Sequence, residues 1–280
     1  MPELATVAQA LTYARTLGIE RLDAQLLLAH QLGRPRAWLL AHDEAPIADS
    51  PALMALLARR AVGEPLAYLV GEREFHGLML HVTSDVLVPR PDTETLVDWA
   101  LELLASLPAP CIVDLGTGSG AIALALKQGC PRATVYATDA SEAALAVARA
   151  NGTRLSLPVT WHGGDWWQAL DPGQCFDLAV ANPPYIAPGD PHLAALRHEP
   201  QTALVADGDR GDGLAAIDCI VAGAPAHLRP AAWLLLEHGC DQADAVRERL
   251  RQAGFACVTT RTDLAGQPRV SGGRLGHRPG

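Results

Sequence analysis

The run Asn182-Pro183-Pro184-Tyr185 combines residue types suited to one chemical task, gripping a planar NH₂ group. An amide or exocyclic amine nitrogen is a poor nucleophile, because its lone pair is delocalised. A protein that alkylates it must hold it with acceptors and aim it. Asn182 offers a side-chain oxygen, and the loop's backbone carbonyls offer more. Proline lacks an N–H, so Pro183 and Pro184 add acceptors without competing donors, and they fix φ. Pro183 also pushes Asn182 toward an extended conformation. Tyr185 presents a flat face that can stack on an amide plane. The catalytic gain is positioning plus stabilisation of charge developing on nitrogen. If the alkyl donor is a sulfonium, no metal, covalent nucleophile or strong general base is required.

A second constellation lies upstream. Asp114-Leu115-Gly116-Thr117-Gly118-Ser119-Gly120 follows an apolar run and precedes a helical pattern. Glycines there permit a tight turn and close approach of backbone to a ligand. Asp139 ends the next apolar run, where its carboxylate can accept both hydroxyls of an adenosine ribose or cap the following helix. Asp165-Trp166-Trp167 comes after a third extended run. Asp165 suits an adenine amino group, and either Trp166 or Trp167 suits the adenine ring; both indoles could equally be core. Gly116-x-Gly118-x-x-Ala121 also fits the loose dinucleotide fingerprint, so the glycine loop alone leaves a dehydrogenase open. That alternative gives the Asn-Pro-Pro-Tyr run no task.

These residues need a frame. Residues 1–65 read as short helices, Thr6–Leu17, Arg21–Leu32 and Pro51–Val62, with Leu22, Leu26, Leu27 and His30 as one stripe. Residues 66–91 read as extended segments turning at Phe75-His76-Gly77-Leu78, a β-hairpin linker. Asp92 and Thr93 can cap a helix to Leu107, buried through Leu96, Trp99, Ala100 and Leu103. From Cys111 onward strands and helices alternate: strands at 111–115, 134–138, 158–161, 176–181 and 231–237, then extended runs at 256–260 and 269–275. That pattern predicts an α/β fold, a doubly wound parallel sheet.

Composition narrows the partners. Of 280 residues, 22 are Lys or Arg and 31 Asp or Glu, for a net charge of −9, which disfavours sequence-independent nucleic-acid binding. Arg247, Arg249 and Arg251 form a stripe that could touch RNA but reads more readily as a solvated face. The six cysteines form no CxxC pair, so no zinc site is suggested, and free thiols in a reducing cytosol fit best. No apolar run reaches 18 residues, and no signal peptide is evident. A cytoplasmic, monomeric enzyme without membrane contact is expected.

The chain resembles the bacterial release factor glutamine methyltransferases, within the class I methyltransferases bearing Asn-Pro-Pro-Tyr. Besides the two motifs, the resemblance rests on Gly63–Tyr68, Phe75-His76-Gly77 and Val88-Pro89-Arg90-Pro91-Asp92-Thr93-Glu94. It extends to Glu199-Pro200, Asp212-Gly213-Leu214, Glu237-His238-Gly239, and Asp263–Gly266 with Arg269-Val270. It implies a seven-stranded Rossmann-like catalytic domain (residues 92–280) behind a helical substrate-recognition domain (1–65) and a hairpin linker (66–91). It implies S-adenosyl-L-methionine as methyl donor, S-adenosyl-L-homocysteine as product, and no metal. Gly116, Thr117, Gly118, Ser119, Gly120, Asp139, Trp166 and Asn182 would bind the donor, and Asn182, Pro183, Pro184 and Tyr185 would hold and activate the substrate. That substrate would be the glutamine of a Gly-Gly-Gln loop in class 1 peptide chain release factors. Alternatives are a ribosomal-protein glutamine and an exocyclic amine of RNA or DNA.

Overall fold

The computed structural model describes residues 4–276, which divide into two compact units, one ending at Glu72 and the other beginning at Arg73. The first unit is helical: α1 Val7–Thr16, α2 Arg21–Leu32, α3 Arg36–Leu39, α4 Ser50–Ala61 and α5 Leu66–Val70. Thr6 caps α1 through the N–H of Gln9, and Asp49 caps α4 through that of Ala52, each satisfying an otherwise orphan donor. The buried seam runs through Val7, Ala10, Ala14, Leu27, Leu28, Leu53 and Leu57. Leu22, expected on that seam, is 50% exposed, and Ala24 and Leu28 lie inside instead. The segment from Leu66 was expected to be extended. It forms the single turn α5, because Pro65 presets its start and Gly71, left-handed at φ +77°, ends it.

A hairpin, β1 Glu72–Phe75 and β2 Leu78–His81, belongs to the second unit from Arg73 onward. His76 and Gly77 both have positive φ (+48° and +75°), the two-residue turn whose twist matches antiparallel strands. A 3₁₀ turn at Pro91–Thr93 leads into α6 Glu94–Leu104. Thr93 makes no side-chain cap there, and Leu104 rather than Leu103 is fully buried with Leu96, Trp99 and Ala100.

The remaining elements are β3 Cys111–Leu115, α7 Ala121–Gly129, β4 Thr134–Asp139, α8 Glu142–Leu155, β5 Thr160–Gly163, β6 Phe176–Ala181, α9 Ala215–His227, β7 Leu228–Glu237, α10 Ala243–Gln252, β8 Phe255–Thr262 and β9 Pro268–Leu275. They build one seven-stranded sheet, ordered β5-β4-β3-β6-β7-β9-β8. Six strands share a direction, and β9 runs antiparallel to both neighbours. The doubly wound, seven-stranded α/β sheet is as expected. The reversal follows from the short Asp263–Gln267 turn between β8 and β9, which leaves no room for a crossover helix. Alternate residues bury opposite faces: Ile112, Leu178, Val180 and Leu235 on one, Val113, Leu115, Ala179 and Leu234 on the other.

Gly272 on β9 lies where the sheet is most crowded. A Cβ there would sit 2.4 Å from Leu235 Cδ2 and 2.9 Å from the Leu234 carbonyl. Gly272→Ala should therefore destabilise the protein by about 1–3 kcal/mol. Urea unfolding measures this, and an unchanged midpoint would show that the strands have slack.

Candidate functional site

The strand order reverses between β3 and β6, which are parallel neighbours paired Leu115 to Ala181. Open sheets bind ligands at such a switch point, past the carboxyl ends of the strands. The next residues on those strands are Gly116 and Asn182, so the glycine loop and the Asn-Pro-Pro-Tyr loop leave the sheet side by side. Both open onto a cavity of ≈ 730 Å³ lined by Gly116–Ser119, Asp139, Trp166, Asn182 and Pro184 among others.

The glycine loop is built from its own backbone. Gly116, Gly118 and Gly120 have φ of +74°, +57° and +83°, the left-handed region a side chain disfavours. At Gly116 there is also no space, since a Cβ would stand 2.9 Å from the Trp166 ring. The N–H groups of Gly116 and Thr117 share the Thr138 carbonyl, and the N–H of Gly118 reaches Asp139 Oδ2 at 2.8 Å. Thr117 gives its hydroxyl proton to Asp114 Oδ2 at 2.6 Å. Asp114 is wholly buried and its Oδ1 has no partner; burial raises its pKa to about 7, against the pull of Thr117 and of the Ala123 N–H. Asn151, buried in α8, donates to the Ser119 carbonyl and to that of His81, joining the loop to the hairpin. A lone Asn inside an amphipathic helix pattern gives no sign of this role.

Asp139 uses one oxygen for Gly118 and the other for the N–H of Ser141. Helix α8 is capped by Ser141 itself, so Asp139 stiffens the loop and keeps two lone-pair sites unspent. Burial raises its pKa despite those bonds. The two tryptophans separate cleanly. Trp167 is 5% exposed, donates its indole N–H to the Ile220 carbonyl and stacks on His227 at 5.0 Å. Trp166, at φ +42°, lines the cavity.

The Asn-Pro-Pro-Tyr loop is braced from behind. Asn182 Nδ2 donates to Thr93 Oγ1 at 3.2 Å. Pro183 is buried. Tyr185 points its hydroxyl at Glu237 Oε1, 3.4 Å away, and its carbonyl accepts from Gln242 Nε2 at 3.0 Å. Burial and the nearby Glu237 carboxyl push the tyrosine pKa well up. Pro183 and Tyr185 thus stand behind Asn182 and Pro184, which face the cavity. The run Pro89–Glu94, expected only to start a helix, also supplies bracing. Arg90 pairs with buried Glu199 at 2.5 Å, Asp92 lies 3.4 Å from Arg269, and Glu94 accepts the N–H of His76 at 3.0 Å. Glu199 also accepts the N–H of Val88 at 3.1 Å. On α10, Arg247, Arg249 and Arg251 are each paired with a carboxylate, which makes that stripe a structural and solvated face.

Comparison with known proteins agrees with this architecture. Residues 4–71 match the family model described as PrmC N-terminal domain, and residues 94–209 that of the methyltransferase small domain. Among solved structures, a methyltransferase from Pyrococcus furiosus aligns with TM-score 0.53 at 18% identity, over 79% of this chain and 98% of its own. The hMettl16 catalytic domain in complex with MAT2A 3'UTR hairpin 1 aligns with TM-score 0.57 at 20% identity, over 80% and 82%. These likenesses speak to fold alone. The release factor glutamine methyltransferase of Bordetella pertussis is 54% identical, covering 92% of this chain and 96% of its own length. That of Burkholderia pseudomallei is 50% identical, covering 98% of each.

Buried Asp114 gives a stability signature. A carboxyl whose folded pKa is raised, here to about 7, contributes stability that is present below its unfolded value and lost as pH rises through the folded one. Wild-type Tm should fall between pH 4 and 7 in part for this reason, and Asp114→Asn should flatten the decline. A parallel decline in both proteins would place the titration elsewhere. The sequence identity over nearly full length, together with the glycine loop and Asn-Pro-Pro-Tyr loop at one switch point, places the chain in the release factor glutamine methyltransferase family.

Proposed function

We propose that this protein transfers a methyl group from S-adenosyl-L-methionine to the side-chain amide nitrogen of the glutamine in the Gly-Gly-Gln loop of class 1 peptide chain release factors. It would act as a cytoplasmic monomer, with no membrane or nucleic-acid contact and no metal. The observation that carries this reading is the adjacency of Asn182 to the glycine loop across the β3–β6 switch point, within one cavity. Near-full-length identity to relatives bearing that name supports the choice of substrate. Among the described residues, no helix is long and apolar enough to cross a membrane.

The cavity suits the donor. Gly116–Ser119 present backbone rather than bulky side chains, while Gly120 turns toward Trp161, Leu124 and Ala148 instead; Asp139 retains acceptor capacity for ribose hydroxyls, and Trp166 offers a flat apolar face. When bound, S-adenosylmethionine supplies a methyl group on a sulfonium, already activated toward a nitrogen lone pair. The protein's own residues then do the positioning. Asn182 Oδ1, its amide nitrogen engaged by Thr93, is the acceptor for one N–H of the substrate carboxamide. Backbone carbonyls from Asn182 to Pro184 are acceptors for the other. Held this way, the nitrogen gains electron density as it becomes tetrahedral, and its proton departs after the methyl group has been gained. Tyr185 fixes the loop's shape through Glu237 and can stack on the amide if its ring turns toward the cavity. The helical unit, residues 1–65 in the sequence reading, would contact the protein substrate.

The direct test offers a release factor, and its loop variant with Gln replaced by Ala, together with labelled donor. Mass spectrometry should find one methyl group on that glutamine and none on the variant. Label on ribosomal protein or RNA instead would redirect the assignment. Asn182→Ala should lower kcat by about 10²–10³-fold with the fold intact, from loss of a preorganised acceptor. Turnover near wild type would remove the proposed mechanism. Asp139→Ala should weaken donor binding by about 1–3 kcal/mol in calorimetry, because ribose hydroxyls lose their acceptor.

A further inference from the structure

The run Asp263-Leu264-Ala265-Gly266 with Arg269 carries part of the family resemblance, yet none of its residues lines the cavity. It forms the turn between β8 and β9, and that turn is clamped from within. Asp263 Oδ1 accepts the N–H groups of Ala265 and Gln267, both at 2.9 Å. The backbone adds two bonds, from the Asp263 N–H to the Gln267 carbonyl and from the Gly266 N–H to that of Asp263, each at 2.9 Å. Asp263 Oδ2 takes Arg269 at 3.1 Å. Arg269 lies 3.4 Å from Asp92, next to the Thr93 that holds Asn182. The turn is thus a fixed shape tied to the frame of the site.

An edge hairpin is commonly guarded by charge. This tip displays leucine. Leu264 is fully exposed (105%), whereas the next most exposed large apolar residue among those described, Leu40, is 63% exposed. Ala265 and Gly266 beside it are exposed too, so the tip is uncharged. Strand register fixes where it stands. Ala181 pairs with Leu236, and the next residue of β7, Glu237, pairs with Val270. Asn182 and Val270 are therefore level, two strands and about 10 Å apart. Strand β9 runs opposite to β6, so the chain before Val270 continues past Asn182 on the cavity side. Three residues back, at Gln267, it has gone about 10 Å further out. The leucine tip thus stands beside the cavity mouth and above the Asn-Pro-Pro-Tyr loop.

We infer that the Asp263–Gln267 turn docks the release factor, with Leu264 seated on an apolar patch of the surface around the Gly-Gly-Gln loop. The inference rests on the glutamine-methylating role proposed above and adds to it a contact outside the cavity. A folded protein that places one glutamine at Asn182 is far wider than the offsets just derived, so its surface meets the tip. The occupant is protein because leucine has no group that binds a phosphate backbone, and the net charge of −9 also disfavours nucleic acid. The clamp gives the contact its strength: a preformed tip loses little conformational freedom on binding, so burial of Leu264 is retained as affinity.

Leu264→Asp and Leu264→Met, made in the full chain, test this. No described residue covers Leu264, so Leu264→Asp should leave Tm and donor affinity by calorimetry unchanged. Its KM for an intact release factor should rise on the order of 10-fold, the value of one buried leucine, with kcat nearly unchanged. Leu264→Met should restore it. Binding of the release-factor variant with Gln replaced by Ala should weaken by the same factor, because the tip acts apart from the cavity. Unchanged KM and unchanged binding in Leu264→Asp overturn the inference, while methylation by the wild type preserves the substrate assignment. A loss confined to kcat or donor affinity also overturns it. So does a wild-type dimer, seen by sedimentation, that Leu264→Asp dissociates without weakening release-factor binding, since the tip then belongs to a second copy. Failure of the wild-type protein to methylate any release factor strikes the substrate assignment itself, and this inference with it.

Discussion

The Asn-Pro-Pro-Tyr loop is held by side-chain hydrogen bonds to two segments far from it in the chain. Asn182, just past β6, donates to the Thr93 hydroxyl at the start of α6, and the Tyr185 hydroxyl reaches Glu237 at the end of β7. A helix start and the end of a neighbouring strand thereby brace one loop that leaves a central strand. The cost is a buried carboxyl with one oxygen unpaired, a group that desolvation penalises whenever it is charged. Such costs are retained where geometry must be unique, and the geometry fixed here is that of the loop facing the cavity.

The other wall of the cavity solves a different problem with a similar economy. Asp139 holds the glycine loop by Gly118 and the start of α8 by Ser141, yet keeps lone pairs available. Asp114 holds the same loop from below through Thr117. A glycine-rich turn has high conformational freedom in the unfolded chain, so a rigid ligand cradle needs these anchors. Asn151 adds a third, from a helix that the loop's own sequence says nothing about. The cradle is stiff because its neighbours make it so, while the glycines only make its shape accessible.

The strands, the helices and the principal loops were legible from one-dimensional patterns. Period-two and period-3.6 burial, glycine turns and Asn-Pro-Pro-Tyr are local features, because each reports the conformational preferences of adjacent residues. Where local signals were weak, the expectation slipped. Leu66–Val70 reads as extended by composition but is held as a turn of helix by Pro65 and Gly71. The direction of β9, which no expectation specified, is set by the length of the short turn before it. Trp166 and Trp167 are adjacent and identical in type, and only the packing of His227 and Ile220 decides which one enters the core.

The residue types alone determined the class of fold, the two loops that open onto the cavity, and the chemistry those loops suit. Tertiary structure decided which atoms brace them: Thr93, Glu199, Glu237 and Asn151, whose partners lie from 32 to 111 positions away. A buried hydrogen bond is specified jointly by donor, acceptor and exclusion of water, and none of these is a property of a single stretch of chain. That is why Asn182, which lines the cavity, could be singled out from the sequence, whereas what braces it could be read only from the fold.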